Sequence, residues 1–463
     1  MYCRQYGDAS GFMNIELSGH YGYRRIVRSV LPSIAMVLIT SVYSIVDGFF
    51  VANFAGKTGF AAINLMWPAM MIIGSLGLMV GSGGAALTAK LKGEGYPKKA
   101  DRVFTMLVRF TLSMGVALAA LMALGAPLVA RWLGADDEMM SECVLYTRLC
   151  MIGMPAFLLQ MAFQSFYMAA ERPQLGTLMA VISGVTNIIL DALLVWLFEM
   201  GVAGAALATA ASQIVGGLFP VWYFASPRNR GTLHLVRTRT IWHYIGRACS
   251  NGLSEYVGNI AMNIVSICYN IQLMRHLGQD GVAAYGVLMY IAFVYAAIFI
   301  GYNIGITPVI GYHYGAGNLR EQRSLLRKSL VITGVVGVLM TVLAEAFAGP
   351  LARLFVGYDA ALSALTEHAI RIYMLCFLVC GWNMFVSALF TGLQNGVVSA
   401  AIAFSRTLGF EMICVWLLPA LLGIDGIWWA VNVAEGLSLL LSAVMLLRYA
   451  PQLVGRQLSV KKS

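Results

Sequence analysis

The sequence has 463 residues, of which 59% are hydrophobic and only 11% charged, and its mean hydropathy is +0.76. A soluble domain carries about 25% charged residues, so this composition excludes a soluble protein and indicates one that crosses a membrane many times. The formal net charge of +10 would suit a nucleic-acid partner, but the placement of the positive charges described below excludes one.

Twelve apolar runs are long enough to cross a bilayer as helices, which predicts an all-α polytopic membrane protein. The predicted spans lie at roughly 29–55, 61–89, 104–130, 143–169, 174–198, 202–225, 242–274, 281–312, 329–352, 368–392, 397–421 and 426–447.

Lysine and arginine residues are concentrated in every second loop between these spans. With the N-terminus in the cytoplasm, the cytoplasmic segments hold 23 of them and the outer loops hold 6, while Arg109 and Arg406 lie inside spans. This distribution follows the positive-inside rule. It predicts a multi-pass protein of the cell membrane with both termini cytoplasmic.

The two halves of the chain repeat each other at an offset of 222 residues. The matching elements are Gly56–Ala62 with Gly278–Ala284, Gly93–Gly95 with Gly315–Gly317, Arg131 with Arg353, and Phe163–Ser165 with Phe385–Ser387. Because each copy holds six spans, both copies have the same orientation, and a pseudo-twofold axis along the membrane normal is expected. We predict an N-terminal six-helix lobe over 1–225, a basic cytoplasmic linker over 226–240 and a C-terminal lobe with its tail over 241–463.

Two lone acids lie inside apolar spans of the N-terminal lobe. Asp191 is the only charge between residues 174 and 198, and Asp47 is the only charge between Arg28 and Lys57. A carboxylate at membrane depth is costly and is by default a functional-site hypothesis. Asn187 precedes Asp191 by one helical turn and therefore shares its face. Topology places Asp47, Asp191 and Thr209 together in the outer half of the lobe.

These side chains predict a site for a cation or a proton. Carboxylate, amide and hydroxyl oxygens suit a hard cation such as Na⁺, for which we expect Asp47, Asn187 and Asp191 as ligands. Two nearby acids cannot both ionise cheaply without a cation, so a shared proton is the other possibility. The alternative is structural, with each carboxylate bonding a neighbouring helix.

The first span contains Pro32, which predicts a kink fifteen residues before Asp47. The kink could act as a hinge for gating or could be static. The same two alternatives apply to Pro308 in the eighth span. The eight cysteines have no metal-ligand spacing and are typical of packing residues.

The C-terminal lobe also carries charges in apolar context, at Glu255, Glu411, Glu435 and Arg406. They could form a second coupling site, contact a cationic substrate, or make structural pairs between helices. At the 222-residue offset the counterparts of Asp47 and Asp191 are Tyr269 and Ile413, so the acid pair is predicted for one lobe only.

Taken together, these residues resemble a known family. Pro32 with Asp47, the segment Asn187–Asp191 and Thr209 resemble the DinF-like branch of the multidrug and toxic compound extrusion (MATE) transporters. PVIGYHYGAGN, at residues 308–318, resembles the end of the eighth helix in its MepA-like bacterial members. The resemblance assigns the cation site to Asp47, Asn187, Asp191 and Thr209. In the NorM-like branch the acids lie in the C-terminal lobe, but Glu255 follows Gly252 too closely to take that role.

The resemblance implies an antiporter that expels organic cations or amphipathic drugs, and so contributes to antibiotic resistance, in exchange for Na⁺ or H⁺. No cofactor is expected, and the expected partners are small-molecule drugs and membrane lipid, with the protein acting as a monomer. The first alternative is a lipid-linked precursor flippase with the same two-lobe architecture, which would need a strongly basic cavity. The second alternative is a membrane-embedded enzyme, which is disfavoured because the sequence shows no HExxH or nucleophile motif.

Overall fold

The computed structural model describes residues 15–54, 56–229 and 231–454, and these residues form helices and connecting loops without a β-strand. The N-terminal half contains α1 Tyr23–Phe54, α2 Gly56–Gly93, α3 Pro97–Leu133, α4 Met140–Ala169, α5 Pro173–Leu190 with a π-helical continuation Asp191–Leu197, and α6 Gly201–Ala225.

The C-terminal half contains α7 Trp242–Asn251, α8 Leu253–Gly315, α9 Leu319–Val356, α10 Ala360–Tyr373, a 3₁₀ turn Met374–Cys376, α11 Phe377–Gly392, α12 Gly396–Phe404, a π-helical segment Ser405–Glu411, α13 Met412–Leu422 and α14 Ile424–Val454. Helix α8 is 63 residues long and is broken at Gly278, whose backbone is not helical (φ 64°, ψ −146°). Among the described residues, eleven helical segments are apolar and long enough to cross a membrane, and some of these segments join two consecutive helices. Division of α8 at Gly278 gives the twelve predicted spans.

The predicted duplication is visible in the backbone. Positive φ angles, which glycine adopts at little cost, recur at the ends of corresponding spans. The pairs are Gly56 with Gly278, Gly95 with Gly317, and Gly201 with Gly423. All three pairs keep the offset of the sequence repeat, so the chain turns at equivalent places in two six-helix lobes.

A reciprocal contact places the pseudo-twofold axis between α2 and α8. A Cβ atom on Gly93 would lie 2.0 Å from the carbonyl oxygen of Tyr312, and one on Gly315 would lie 2.0 Å from that of Lys90. Lys90 corresponds to Tyr312 in the repeat just as Gly93 corresponds to Gly315. The two helices therefore touch through equivalent surfaces, and only glycine allows this approach.

Each lobe has its own apolar core, and lipid-facing side chains cover the outside. In the N-terminal lobe, Phe104 contacts Phe166 and Phe224 edge-to-face, with ring centroids 5.0 and 5.2 Å apart. Outward-facing side chains such as Leu124 and Trp132 on α3 are 80% and 84% exposed. Large exposed apolar side chains on a span are stable only against lipid.

The segment before α1 joins the two lobes at the end of the molecule where α1 begins. The backbone N–H of Tyr21 donates to Glu321 Oε1 on α9 over 2.7 Å, and that of Leu17 donates to Glu171 Oε1 in the α4–α5 loop over 3.3 Å. Lys328 Nζ donates to the carbonyl of Tyr21. Leu17 and Tyr21 are fully buried, so this segment and the glycine contacts close the interlobe space at this end.

Candidate functional site

Asp191 begins the π-helical segment that continues α5, and its side chain is fully buried. Its backbone N–H reaches the carbonyls of both Asn187 and Ile188, so the hydrogen-bond pattern changes at this residue. A π-helical turn widens the helix locally and is frequent at functional sites, because it re-aims side chains.

The carboxyl group of Asp47 on α1 lies against the side chains of Asp191 and Asn187. Outside this group, no described residue donates a hydrogen bond to four of its buried oxygens: Asp47 Oδ1, Asn187 Oδ1, and Asp191 Oδ1 and Oδ2. Buried oxygens without donors are rare and costly. The structure therefore brings together Asp47, Asn187 and Asp191, the three side chains that the sequence analysis named as cation ligands.

A small apolar cluster lies one turn from the acids. It consists of Val51 on α1, Val195 in the π-helical segment and Ala205 on α6. Val51 follows Asp47 by four residues, Val195 follows Asp191 by four, and Thr209 follows Ala205 by four. Because four residues are about one helical turn, this spacing places the two acids and Thr209 at one common level. That level lies one turn from the apolar cluster.

Thr209 itself is half-buried on α6 and shows no side-chain hydrogen bond to the acids. Thr209 is therefore not a direct partner of Asp47 or Asp191 in this conformation.

Sequence reasoning missed the polar groups that α4 brings to the site. Tyr146 is buried, lies close enough to both carboxyl groups to interact with them electrostatically, and also interacts with Cys150. Gln160 interacts with Tyr43 and donates to Ser183 Oγ over 3.3 Å. The presence of polar residues inside the fourth apolar span was the sequence feature that could have indicated these groups.

Pro32 lies inside α1, where the helix contacts α5 on one side and α8 on the other. Its carbonyl accepts a hydrogen bond of 2.7 Å from Thr177 Oγ1 on α5. On the other side, a Cβ atom on Gly301 of α8 would lie 2.5 Å from Ile34 Cα. Proline removes the backbone N–H that would bond one turn earlier. Helix α1 is therefore weakened where it contacts both its own lobe and the other lobe.

Three of the predicted C-lobe charges, Arg406, Glu411 and Glu435, lie close enough to interact electrostatically. Arg406 Nε donates to Glu435 Oε1 over 2.7 Å, and Asn383 Nδ2 donates to Glu435 Oε2 over 2.7 Å. Arg406 also contacts Cys380 Sγ at 3.2 Å, and Ser442 Oγ donates to Asn383 Oδ1 over 3.1 Å. Glu435 is therefore bonded at both oxygens, which matches the structural pairing that the sequence left open.

Glu411 lies close to Tyr269 and ends the π-helical segment that contains Arg406. Tyr269 is the counterpart of Asp47 in the repeat, so the position equivalent to the N-lobe acids holds a tyrosine and a glutamate. Glu255 lies fourteen residues before Tyr269 on α8, which is about 21 Å along a helix. Glu255 is therefore outside this group.

Among the described residues no three His, Cys, Asp or Glu side chains come together as in a metal centre. A cation in the N-lobe site would be held by two carboxylates and an amide oxygen. The four oxygens without donors fit either a small hard cation or a proton shared between the acids.

The family model described as MatE matches residues 32–193 and again residues 256–417. The multidrug export protein MepA of Staphylococcus saprophyticus is 24% identical over 422 residues, which are 90% of this chain and 92% of that protein.

Two solved structures show the same fold. A MATE protein in the straight conformation is 20% identical, with a TM-score of 0.89 over 95% of this chain and 99% of that chain. A MATE protein in the bent conformation is 21% identical, with a TM-score of 0.87 over 95% of this chain and 97% of that chain.

Proposed function

The chain belongs to the MatE family of multi-pass membrane transporters, and we propose that it is a secondary active efflux antiporter. It expels organic cations or other amphipathic drugs and takes up Na⁺ or H⁺ in exchange. Its relative MepA is described as a multidrug export protein, which supports a drug as the exported substrate.

The observation that carries the proposal is the group of buried oxygens without donors around Asp47 and Asp191. A cation or proton is the partner that such a group lacks, and binding it removes the cost of two adjacent carboxylates at membrane depth. Asp47, Asn187 and Asp191 are the proposed ligands, and Thr209 is proposed to complete the site at the same level.

Coupling requires that the ion bind one conformation of the transporter more tightly than the other. Asp47 and Pro32 lie on the same helix, and Thr177 ties Pro32 to the helix that carries Asp191. We infer that ion binding draws α1 towards α5 and favours a bend at Pro32. The bend narrows the interlobe space and releases the drug.

The orientation of the chain is part of the proposal. The end closed by the N-terminal segment is assigned to the cytoplasm, because the lysine and arginine residues concentrate there. The N-terminal lobe 1–225, the linker 226–240 and the C-terminal lobe 241–463 are the proposed moving units.

A lipid flippase is the weaker candidate. Its interlobe space would need free positive charges for lipid phosphates. Arg406 is bonded to Glu435, and Arg109 is on the outside of α3, where its Nη1 donates to the carbonyl of Thr238 over 3.0 Å. Neither arginine inside a span offers a free charge to the space between the lobes.

Dye efflux from everted membrane vesicles tests the proposal. A cationic dye is loaded and either a Na⁺ gradient or a pH gradient is imposed in separate runs, with vesicles lacking the protein as the control. One gradient should drive dye movement and its dissipation should stop it. Dye movement that is independent of both gradients would contradict antiport, and flipping of a labelled lipid without dye movement would favour the flippase.

A further inference from the structure

A basic cleft of about 1040 Å³ lies at the closed end of the molecule, between the start of α3 and the segment that leads into α7. Its lining includes five positively charged side chains and no acidic one: Lys98, Lys99, Arg102, Arg237 and Arg239. This cleft lies on the surface, apart from the acids and from the space between the lobes.

The positive charges of the cleft are not neutralised within the protein. Across residues 15–54, 56–229 and 231–454, no carboxylate is recorded within 4.0 Å of any of these five side chains. Asp101, the acid next to them in sequence, accepts instead from the backbone N–H of His234 over 2.9 Å. Lys99 Nζ lies 5.8 Å from the ring centroid of Tyr96 and 5.4 Å from that of Tyr244. An external anion would therefore meet four charges without an ion-pair partner and a fifth, on Lys99, that already contacts two aromatic rings.

The cleft is built by the linker, which runs in extended form along α3. Val236 N–H donates to Thr105 Oγ1 over 2.9 Å, and Arg109 Nη1 donates to the carbonyl of Thr238 over 3.0 Å. These bonds, one helical turn apart on α3, fix the backbone on either side of Arg237. Arg237 is thereby held beside the third and fourth turns of α3, and it lines the same cleft as Arg239, Lys98, Lys99 and Arg102.

Apolar side chains next to the cleft place it at the membrane surface. Trp242 is 70% exposed and rests edge-to-face on Phe110, with ring centroids 6.3 Å apart. Ile241, which lines the cleft, is 49% exposed. Tryptophan prefers the headgroup level of a bilayer. A ligand in the cleft therefore has lipid chains beside it, which favours a lipid headgroup over a soluble anion.

The repeat supplies a second cleft of about 640 Å³ at the start of α9, which serves as an internal comparison. There, Asn318 Oδ1 accepts from the backbone N–H of Glu321, and Lys328 donates to the carbonyl of Tyr21. At the first cleft, α3 begins without a side-chain cap. The first turn of α3 therefore keeps backbone N–H groups that no side chain of the protein caps.

We propose that the cleft formed by Lys98, Lys99, Arg102, Arg237 and Arg239 binds the phosphate-bearing headgroup of an anionic membrane lipid. Guanidinium groups bind phosphate oxygens through paired hydrogen bonds, and the lysines add point charges. Basic pockets beside transmembrane helices bind such headgroups in this way. This site is independent of drug export and of the identity of the coupling ion.

Native mass spectrometry of the full-length protein tests the proposal, with dioleoylphosphatidylglycerol, dioleoylphosphatidylcholine and inorganic phosphate added in separate arms. Two triple variants are compared. Arg102→Gln/Arg237→Gln/Arg239→Gln empties the cleft of arginine, and Arg24→Gln/Arg28→Gln/Arg228→Gln removes three exposed charges from the same end outside it.

Phosphatidylglycerol should bind the wild type more tightly than phosphatidylcholine, and the cleft variant should lose about tenfold in apparent affinity while the control loses less than about twofold. Equal losses in both variants would overturn the site. Binding of inorganic phosphate at millimolar concentration without preference for phosphatidylglycerol would overturn the lipid assignment. Should the cleft variant fail to fold, photoactivatable phosphatidylglycerol on the wild type decides: label at Ile241 and Trp242 supports the site, and label only elsewhere overturns it.

Discussion

At the scale of single residues, the two lobes treat buried charge in opposite ways. Glu435 has a partner at each oxygen, through Arg406 and Asn383. Asp191 is equally enclosed and has no donor at either oxygen. A buried polar group that is left unsatisfied needs an explanation, and an exchangeable ligand provides one. The Glu435–Arg406 pair needs no exchangeable ligand, because each oxygen of Glu435 already accepts a hydrogen bond.

Asp191→Asn should abolish drug resistance in cells without lowering the amount of protein in the membrane. Asparagine keeps the shape of the side chain but can neither carry the charge nor exchange a proton. Resistance is measured as growth at increasing drug concentration, with Asp137→Asn in the exposed α3–α4 loop as the control. Unchanged resistance in Asp191→Asn would disprove the N-lobe mechanism.

Arg406→Leu should destabilise the protein, because it leaves the Glu435 carboxylate buried without its cationic partner. Breaking a buried ion pair from one side typically costs about 3–5 kcal/mol. Thermal unfolding of the purified protein measures the loss. The double variant Arg406→Leu/Glu435→Leu should unfold closer to the wild-type temperature, and equal losses in the two variants would show that the pair is not the source of stability.

At the scale of helices, irregular backbone occurs in the fifth span of each lobe, at places that the 222-residue offset does not superpose. The fifth span of each lobe contains a π-helical segment, Asp191–Leu197 in one and Ser405–Glu411 in the other. Each segment carries the acid that faces the first span of its lobe, since Asp191 meets Asp47 and Glu411 meets Tyr269. At the 222-residue offset Asp191–Leu197 corresponds to Ile413–Pro419, so the two π-helical segments do not coincide, although each fifth span carries an acid that lies towards the first span of its lobe.

Pro32→Ala should slow drug export while the protein still binds drug. Alanine restores the N–H that proline lacks and straightens α1, which disfavours the bent state. A shift of about 1.4 kcal/mol between the two states would lower the population of the bent state about tenfold. Export rate and equilibrium dye binding are measured in parallel.

Pro127→Ala on α3 is the matched control, because this proline also lies inside a span but on a helix that carries no residue of the proposed cation site. Equal export by wild type and Pro32→Ala would show that the kink is static.

At the scale of the whole molecule, the pseudo-twofold axis explains why the lobes meet where they do. Gly93 and Gly315 allow α2 and α8 to touch backbone to backbone at the closed end. Leu17 and Tyr21 fill the adjoining space and bond to both lobes. Opening this end requires that these contacts separate together.

Gly93→Ala should destabilise the closed arrangement, since its Cβ atom would lie 2.0 Å from the Tyr312 carbonyl oxygen, which is backbone and cannot turn aside. Overpacking of this kind typically costs about 1–3 kcal/mol. The midpoint of thermal unfolding in detergent should fall, whereas Gly258→Ala on α8, which has open space around its Cβ position, should leave it nearly unchanged. Equal midpoints would argue against a rigid contact at Gly93.

The sequence predicted the number of spans and the position of the N-lobe acids because both depend on local properties. Hydropathy over about 20 residues defines a span, and helical periodicity places Asn187 and Asp191 on one face. It could not separate Glu255 from Glu411, because that distinction depends on which level of a long helix each residue occupies. Nor did it identify Tyr146, because the polar residues of the fourth span do not by themselves indicate which face of α4 lies towards the acids.

By itself the sequence determined the membrane class, the duplication and the lone acids, because the cost of charge in lipid restricts where polar residues can occur. The offset of 222 residues also indicated that Asp191 has no acidic counterpart at Ile413. Only the tertiary structure showed that Glu411, two residues earlier, faces Tyr269 in the equivalent place. Packing between helices, which a one-dimensional pattern does not encode, decided which charges were paired and which oxygens were left without a donor.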